Sequence, residues 1–179
     1  CACSISAGEV EPRHQRAAQL SRCLWPTTIR SASTLRAKPV IWSPESPTLY
    51  PFVLEVRRSG RIVDAVHTYL GLREISIAKA PGRDYNYIYL NGKPIYLRGA
   101  LHQSFHPDGI YQYPDDATVR GDFEFCKKAG LNFLRIHIKN ATPRELYWAD
   151  KLGVLIMQDM PNFTDYTEKS RRFWEQNLR

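Results

Sequence analysis

Between Ile95 and Pro161 three short apolar runs alternate with helix-length amphipathic segments, and this arrangement limits the fold more than any other feature of the chain. The runs are Ile95–Leu101, Leu131–Ile136 and Val154–Met157. Continuous apolar runs of this length, spaced by helices, predict βαβ units and a parallel sheet covered on its faces. In such sheets ligands gather at the carboxyl ends of the strands, whether the sheet is open or closed into a barrel. Those ends carry His102 and Gln103, then Arg135 and His137, then Gln158 and Asp159. Strand alternation puts Arg135 and His137 on one face.

The connecting segments have their own signals. Asp116 to Ala129 predicts a helix with Val119, Phe123 and Cys126 on its apolar stripe, acidic residues at its start and Gly130 at its end. Thr142-Pro143-Arg144-Glu145 predicts a second helix start: Thr at N-cap, Pro at N1 and Glu at N3 form a capping box. Leu146, Ala149 and Leu152 are expected to face inward, and Gly153 to close the helix. A third helix is expected from about Glu168. The stretch from His102 to Asp115 reads as a long loop, and a loop of that length on the ligand side is expected to carry function.

Upstream the pattern changes. Residues 40–79 read as antiparallel strands, with Phe52, Leu54 and Val56 on one face and a turn at Arg58-Ser59-Gly60-Arg61. Ala80-Pro81-Gly82-Arg83 is expected to mark a domain boundary, with residues 80–179 forming the α/β part. Asn91-Gly92, between alternating apolar arms, predicts a hairpin because both turn positions need positive φ. Residues 1–39 show no sustained periodicity and read as a poorly ordered tail whose native origin stays open. The chain begins with Cys rather than Met, which suggests that its natural beginning is missing.

The net charge of +7 raises the question of nucleic acid. Residues 1–39 hold six basic residues against Glu9 and Glu11, so four of those seven charges lie outside the predicted fold. No basic run interleaved with aromatics is present, and no nucleic-acid partner is expected. No apolar run reaches membrane-spanning length, so no membrane partner is expected either. His102 and His106 stand four apart, but Pro107 and the loop composition oppose the helix that a metal pair at that spacing needs. Neither a metal site nor a cofactor is expected, since a Gly-rich strand-to-helix turn is also missing.

Several runs resemble glycoside hydrolase family 2, the group of β-galactosidases, β-glucuronidases and β-mannosidases. They are Trp42-Ser43-Pro44 through Tyr50, Gly71-Leu72-Arg73, Asn91-Gly92-Lys93-Pro94, Arg98-Gly99, Gly130-Leu131-Asn132 through Arg135, and Ala149-Asp150-Lys151-Leu152-Gly153-Val154 through Pro161. The resemblance implies the end of an immunoglobulin-like β-sandwich followed by the first part of a TIM (β/α)8 barrel. It implies retaining hydrolysis of β-glycosides by two Glu residues, which that stereochemistry holds about 5–5.5 Å apart. In the family both Glu lie on later strands, so no catalytic residue is expected here and the isolated chain is expected to be inactive. A homo-oligomer is compatible with the full-length protein, and the compartment stays open.

The resemblance assigns Arg135 to substrate binding, makes His102 and Gln103 approximate matches, and gives Asp159 a supporting place in the pocket. His137 stands where relatives commonly carry Ser and does not inherit the family's His role. Together Arg135, His137, His102, Gln103 and Asp159 are the expected carbohydrate-binding residues. The competing reading is a non-catalytic carbohydrate-binding or scaffold protein.

Overall fold

A computed structural model of the chain describes residues 2–6, 38–59 and 61–177. The chain divides into two compact units, residues 1–42 with 48–73, and residues 43–47 with 74–179.

The first unit holds an antiparallel sheet in the order β1 (Ala2–Ser6), β2 (Tyr50–Arg58), β3 (Arg61–Leu70). Leu54 pairs with Val66 in the β2–β3 hairpin, and the register slips at Val56/Arg57, as at a β-bulge. Trp42 is fully buried; its N–H donates to the Leu72 carbonyl at 2.8 Å, and the Arg73 guanidinium lies 4.5 Å from its ring centroid. A Cβ on Gly71 would stand 3.3 Å from Cδ1 of that ring, so a larger residue there would press on the indole. Trp42 is thus the aromatic anchor of the Gly-Leu-Arg run. Ala2–Ser6, at the head of the stretch read as a tail, pair with β2, while residues 7–37 of that stretch lie outside the described residues.

The second unit begins with β4 (Ile75–Lys79), β5 (Asn86–Leu90) and β6 (Lys93–Pro94), paired antiparallel in that order. The expected boundary at Ala80–Arg83 is therefore moved. Those residues close the β4–β5 hairpin: Arg83 N–H donates to the Ala80 carbonyl at 3.0 Å, and Gly82 has φ +66°. Pro and Gly serve a tight turn as readily as a linker, and here they serve the turn. Asn91 and Gly92 both have positive φ, 54° and 74°, as the hairpin reading requires.

The parallel part runs β7 (Gly99–His102), α1 (Asp116–Lys128), β8 (Phe133–Ile136), α2 (Pro143–Leu152), β9 (Leu155–Gln158), α3 (Glu168–Asn177). Strand order is β7-β8-β9, all parallel, with Leu101, Arg135 and Met157 in one row and His102, Ile136 and Gln158 in the next. Only the end of the first apolar run is strand. The buried Asn132 takes the backbone before it: Oδ1 accepts from Arg98 N at 2.8 Å and Nδ2 donates to Tyr96 O at 3.0 Å. A Cβ on Gly99 would lie 2.6 Å from the Phe133 carbonyl oxygen, so the strands approach too closely there for any side chain.

One face of this sheet is covered. Val119 and Phe123 of α1, Leu134 of β8, Ala149 of α2 and Val154 form its core. Burying side chains the size of Phe123 and Leu134 contributes about 2–3 kcal/mol each. Helix α1 starts at Asp115, whose carboxylate accepts from Thr118 N at 2.8 Å. Helix α2 has the expected capping box at Thr142 and Glu145 and ends on Gly153 at φ +80°. Its inward face differs from the apolar expectation: Ala149 is buried and Leu152 packs against the core, but Leu146 is exposed and Glu145 is buried. Polar partners, described below, take the place of apolar packing for Glu145. At the other end of the helices, Lys127 Nζ donates to Pro44 O at 2.8 Å and Gly153 O at 3.1 Å.

On the opposite face Leu101, Arg135 and Met157 are exposed. Among the described residues no helix is long and apolar enough to cross a membrane.

Candidate functional site

The pleat of β7 and β8 sorts the predicted residues into two groups. Leu134 and Ile136 point into the helix-covered core, so Arg135 between them points to the open face. Its guanidinium meets the carboxylate of Asp159, just past β9, in a two-pronged contact: Nε donates to Oδ1 at 3.0 Å and Nη2 to Oδ2 at 2.9 Å. The Ile138 N–H adds a third bond, to Oδ2 at 3.3 Å. The Arg135 hydrogen bond is the main reason the Asp159 carboxyl lies below its ordinary range, and the carboxylate in turn raises Arg135. The third guanidinium nitrogen, Nη1, has no hydrogen-bond partner among the described residues.

Gln103 and His137 form a second contact at the same strand ends, with Gln103 Nε2 2.7 Å from His137 Nδ1. His137 keeps its other ring nitrogen without a hydrogen-bond partner among the described residues. Arg135, His137 and Asp159 line a cavity of about 720 Å³ whose wall continues through Phe163, Tyr166 and Trp174. These aromatics were not anticipated. Phe163 and Tyr166 lie between β9 and α3 and Trp174 lies on α3, and their spacing in sequence carries no sign of a shared wall.

His102 goes elsewhere. It shares a row with Ile136, and its ring lies 6.1 Å edge-on from Phe123 of the core. Its Nε2 is 2.9 Å from the Tyr113 hydroxyl, which donates to Asp122 Oδ2 at 2.6 Å, and 3.9 Å from Glu145 Oε1. Burial lowers the His102 pKa, opposed by the nearby Glu145 and Asp122 charges and reinforced by Lys139. Burial together with the Asp122 hydrogen bond pushes Tyr113 upward.

Glu145 gathers this second group. Its Oε2 accepts from Thr142 N at 2.6 Å and its Oε1 from the hydroxyl of buried Ser104, which sits at φ +56°. Lys139, also buried, donates to Tyr111 O at 2.6 Å and lies over the Phe105 and Tyr111 rings at 4.7 and 4.6 Å. Both residues hold the loop between His102 and Asp115 from beneath. The capping box at Thr142 identified Glu145 only as a local helix signal, and its tie to Ser104 spans 41 residues.

Of the five predicted residues, four thus meet at the open face in two bonded pairs, and His102 belongs to the support on the covered face. The model for glycosyl hydrolases family 2 matches residues 10–73. A candidate β-glucuronidase of Formosa agariphila is 30% identical over 123 residues, 69% of this chain and 14% of that protein. A β-galactosidase of Kluyveromyces lactis is 30% identical over 122 residues, 68% of this chain and 11% of that protein. The crystal structure of Parabacteroides merdae β-glucuronidase superposes with a TM-score of 0.59 at 27% identity, over 69% of this chain and 14% of that one.

The chain matches glycosyl hydrolase family 2 over residues 10–73 and resembles these relatives over more than two thirds of its own length. It spans 11–14% of the length of these curated family members. The family match takes in residues 10–39, which composition and periodicity alone left outside any fold.

Proposed function

We propose that this chain is part of a retaining β-glycosidase, in which the first unit supplies the last strands of an immunoglobulin-like sandwich and β7, α1, β8, α2, β9 and α3 begin a TIM barrel. On this reading the open face of β7–β9 is the barrel interior, and Arg135, His137, Gln103 and Asp159 form one wall of the sugar pocket. The observation that carries it is the Arg135–Asp159 pair. A guanidinium held by two parallel hydrogen bonds keeps a fixed direction, and its unused Nη1 stands at the carboxyl ends of parallel strands beside a sugar-sized cavity.

The chemistry needs two carboxyl groups about 5–5.5 Å apart, one to protonate the leaving oxygen and one to attack the anomeric carbon. The acidic residues lining the cavity are Asp159 and Glu168, engaged respectively by Arg135 and by Arg171 with Arg172. Their guanidinium partners hold both carboxyls below the usual range, so neither suits the proton-donor role, and the resemblance to the family puts both catalytic Glu on later strands. The acid/base and the nucleophile are therefore assigned to sequence outside this chain.

Aryl β-galactosides and β-glucuronides, the sugars after which the relatives are named, provide the test. The isolated chain should release no aryl alcohol. In the longer protein, Arg135→Ala should lower kcat/KM by about 10²–10³-fold, the usual cost of removing one oriented donor. Turnover by the chain alone, or an Arg135→Ala enzyme with unchanged kcat/KM, would sink this reading. Sugar binding without turnover by the longer protein would favour a carbohydrate-binding scaffold.

A further inference from the structure

The Gln103–His137 contact has a directional consequence. A side-chain amide nitrogen carries donors only, so the ring atom 2.7 Å from Gln103 Nε2 has to be the bare, accepting nitrogen. That atom is Nδ1. In a neutral imidazole the proton then resides on Nε2, the ring nitrogen without a partner among the described residues.

We propose that Gln103 is a positioning residue that sets the tautomer of His137, so that His137 offers the cavity an N–H donor toward a sugar oxygen. The sugar part of this inference rests on the glycosidase reading above; the tautomer part does not. The donor stands two residues beyond Arg135, just past the end of β8, and the Nη1 of Arg135 is also unused, so this cavity wall presents two donors. Such a wall suits the hydroxyl and ring oxygens of a pyranoside. Asp159, its carboxylate already bonded to Arg135, is the charged group that bears on the His137 ring among the described residues.

The backbone supports this role for Gln103. Its neighbour Ser104 adopts φ +56°, an unusual conformation for a residue with a Cβ, and its hydroxyl is tied to Glu145 on the covered face. Successive residues of one loop are thus bonded to opposite sides of the sheet. That leaves the Gln103 side chain little freedom to leave His137.

The test is ¹⁵N–¹H long-range NMR of the histidine-labelled chain, with the His137 ring assigned by loss of its signals in His137→Asn. The expected result is a neutral His137 protonated on Nε2. In Gln103→Glu the carboxylate can only accept, so Nδ1 should become protonated. In Gln103→Leu the two tautomers should mix. A wild-type ring protonated on Nδ1, or a tautomer unmoved in both variants, overturns the proposal whether or not the protein is a glycosidase. In the longer protein, Gln103→Glu and Gln103→Leu should each raise KM about tenfold, the size of one lost neutral hydrogen bond, with kcat changed less. An unaltered KM with the predicted NMR change would remove the sugar contact and leave the glycosidase reading intact.

Discussion

Arg135 and Asp159 are 24 residues apart in sequence and meet through two hydrogen bonds, at 3.0 and 2.9 Å, at the ends of neighbouring parallel strands. A whole helix and a strand separate them along the chain. Parallel pairing of β8 with β9 is what brings them together, because the crossover through α2 returns the chain in the same direction.

This pair ties the charge of Asp159 to Arg135. The folded carboxyl is held below its ordinary value of 3.8, so its contribution to stability is complete above that value and lost as pH falls through the folded one. Arg135→Ala should move the Asp159 titration upward, toward the ordinary range. Carboxyl ¹³C NMR between neutral pH and pH 2 measures the shift, and an Asp159 that titrates identically in both proteins would disprove the coupling.

His102 gives the opposite kind of pH dependence. Its folded pKa lies below 6.5, chiefly through burial, so the unfolded chain takes up the proton first. Stability should therefore decline as pH falls from about 6.5 through the folded value. Glu145→Gln, which removes a charge 3.9 Å from Nε2, should lower the His102 pKa further. Melting temperatures measured across pH 5–7.5 check this; a decline of equal slope in His102→Asn would assign the effect to another group.

Gly153 and Gly130 separate backbone strain from crowding. Both end helices at positive φ, +80° and +81°, but a Cβ at Gly153 would stand 2.4 Å from Pro44 O, whereas one at Gly130 meets nothing within 4 Å. Gly130→Ala should cost about 1 kcal/mol from conformation alone. Gly153→Ala should cost at least about 2 kcal/mol more, because the Pro44 backbone and its bond to Lys127 have to move. Urea unfolding of the two variants compares them, and equal losses would show that Pro44 yields freely.

Local chemistry was legible where a residue's neighbours in sequence decide its state. Thr142, Pro143, Glu145 and Gly153 marked the ends of α2, Asp115 began α1, and Asn91-Gly92 formed the turn that its positive φ values require. The Pro-Gly pair at residues 81 and 82 misled the boundary because a linker and a hairpin turn use the same two residues. The strand Gly99–His102 came out shorter than its apolar run because the distant Asn132 side chain occupies the backbone of Tyr96 and Arg98.

The sequence alone determined the order of strands and helices and the polar residues at each strand end, since periodicity and capping act over one or two turns of chain. Which face each of those residues occupies was decided by tertiary structure. Neighbouring strands aligned Arg135 with Leu101 and Met157 on the open side and His102 with Ile136 against the helices. The partners of Gln103, Glu145 and Lys139 were decided there too, 34, 41 and 28 residues away, because a hydrogen bond depends on proximity in space and leaves no period in the sequence.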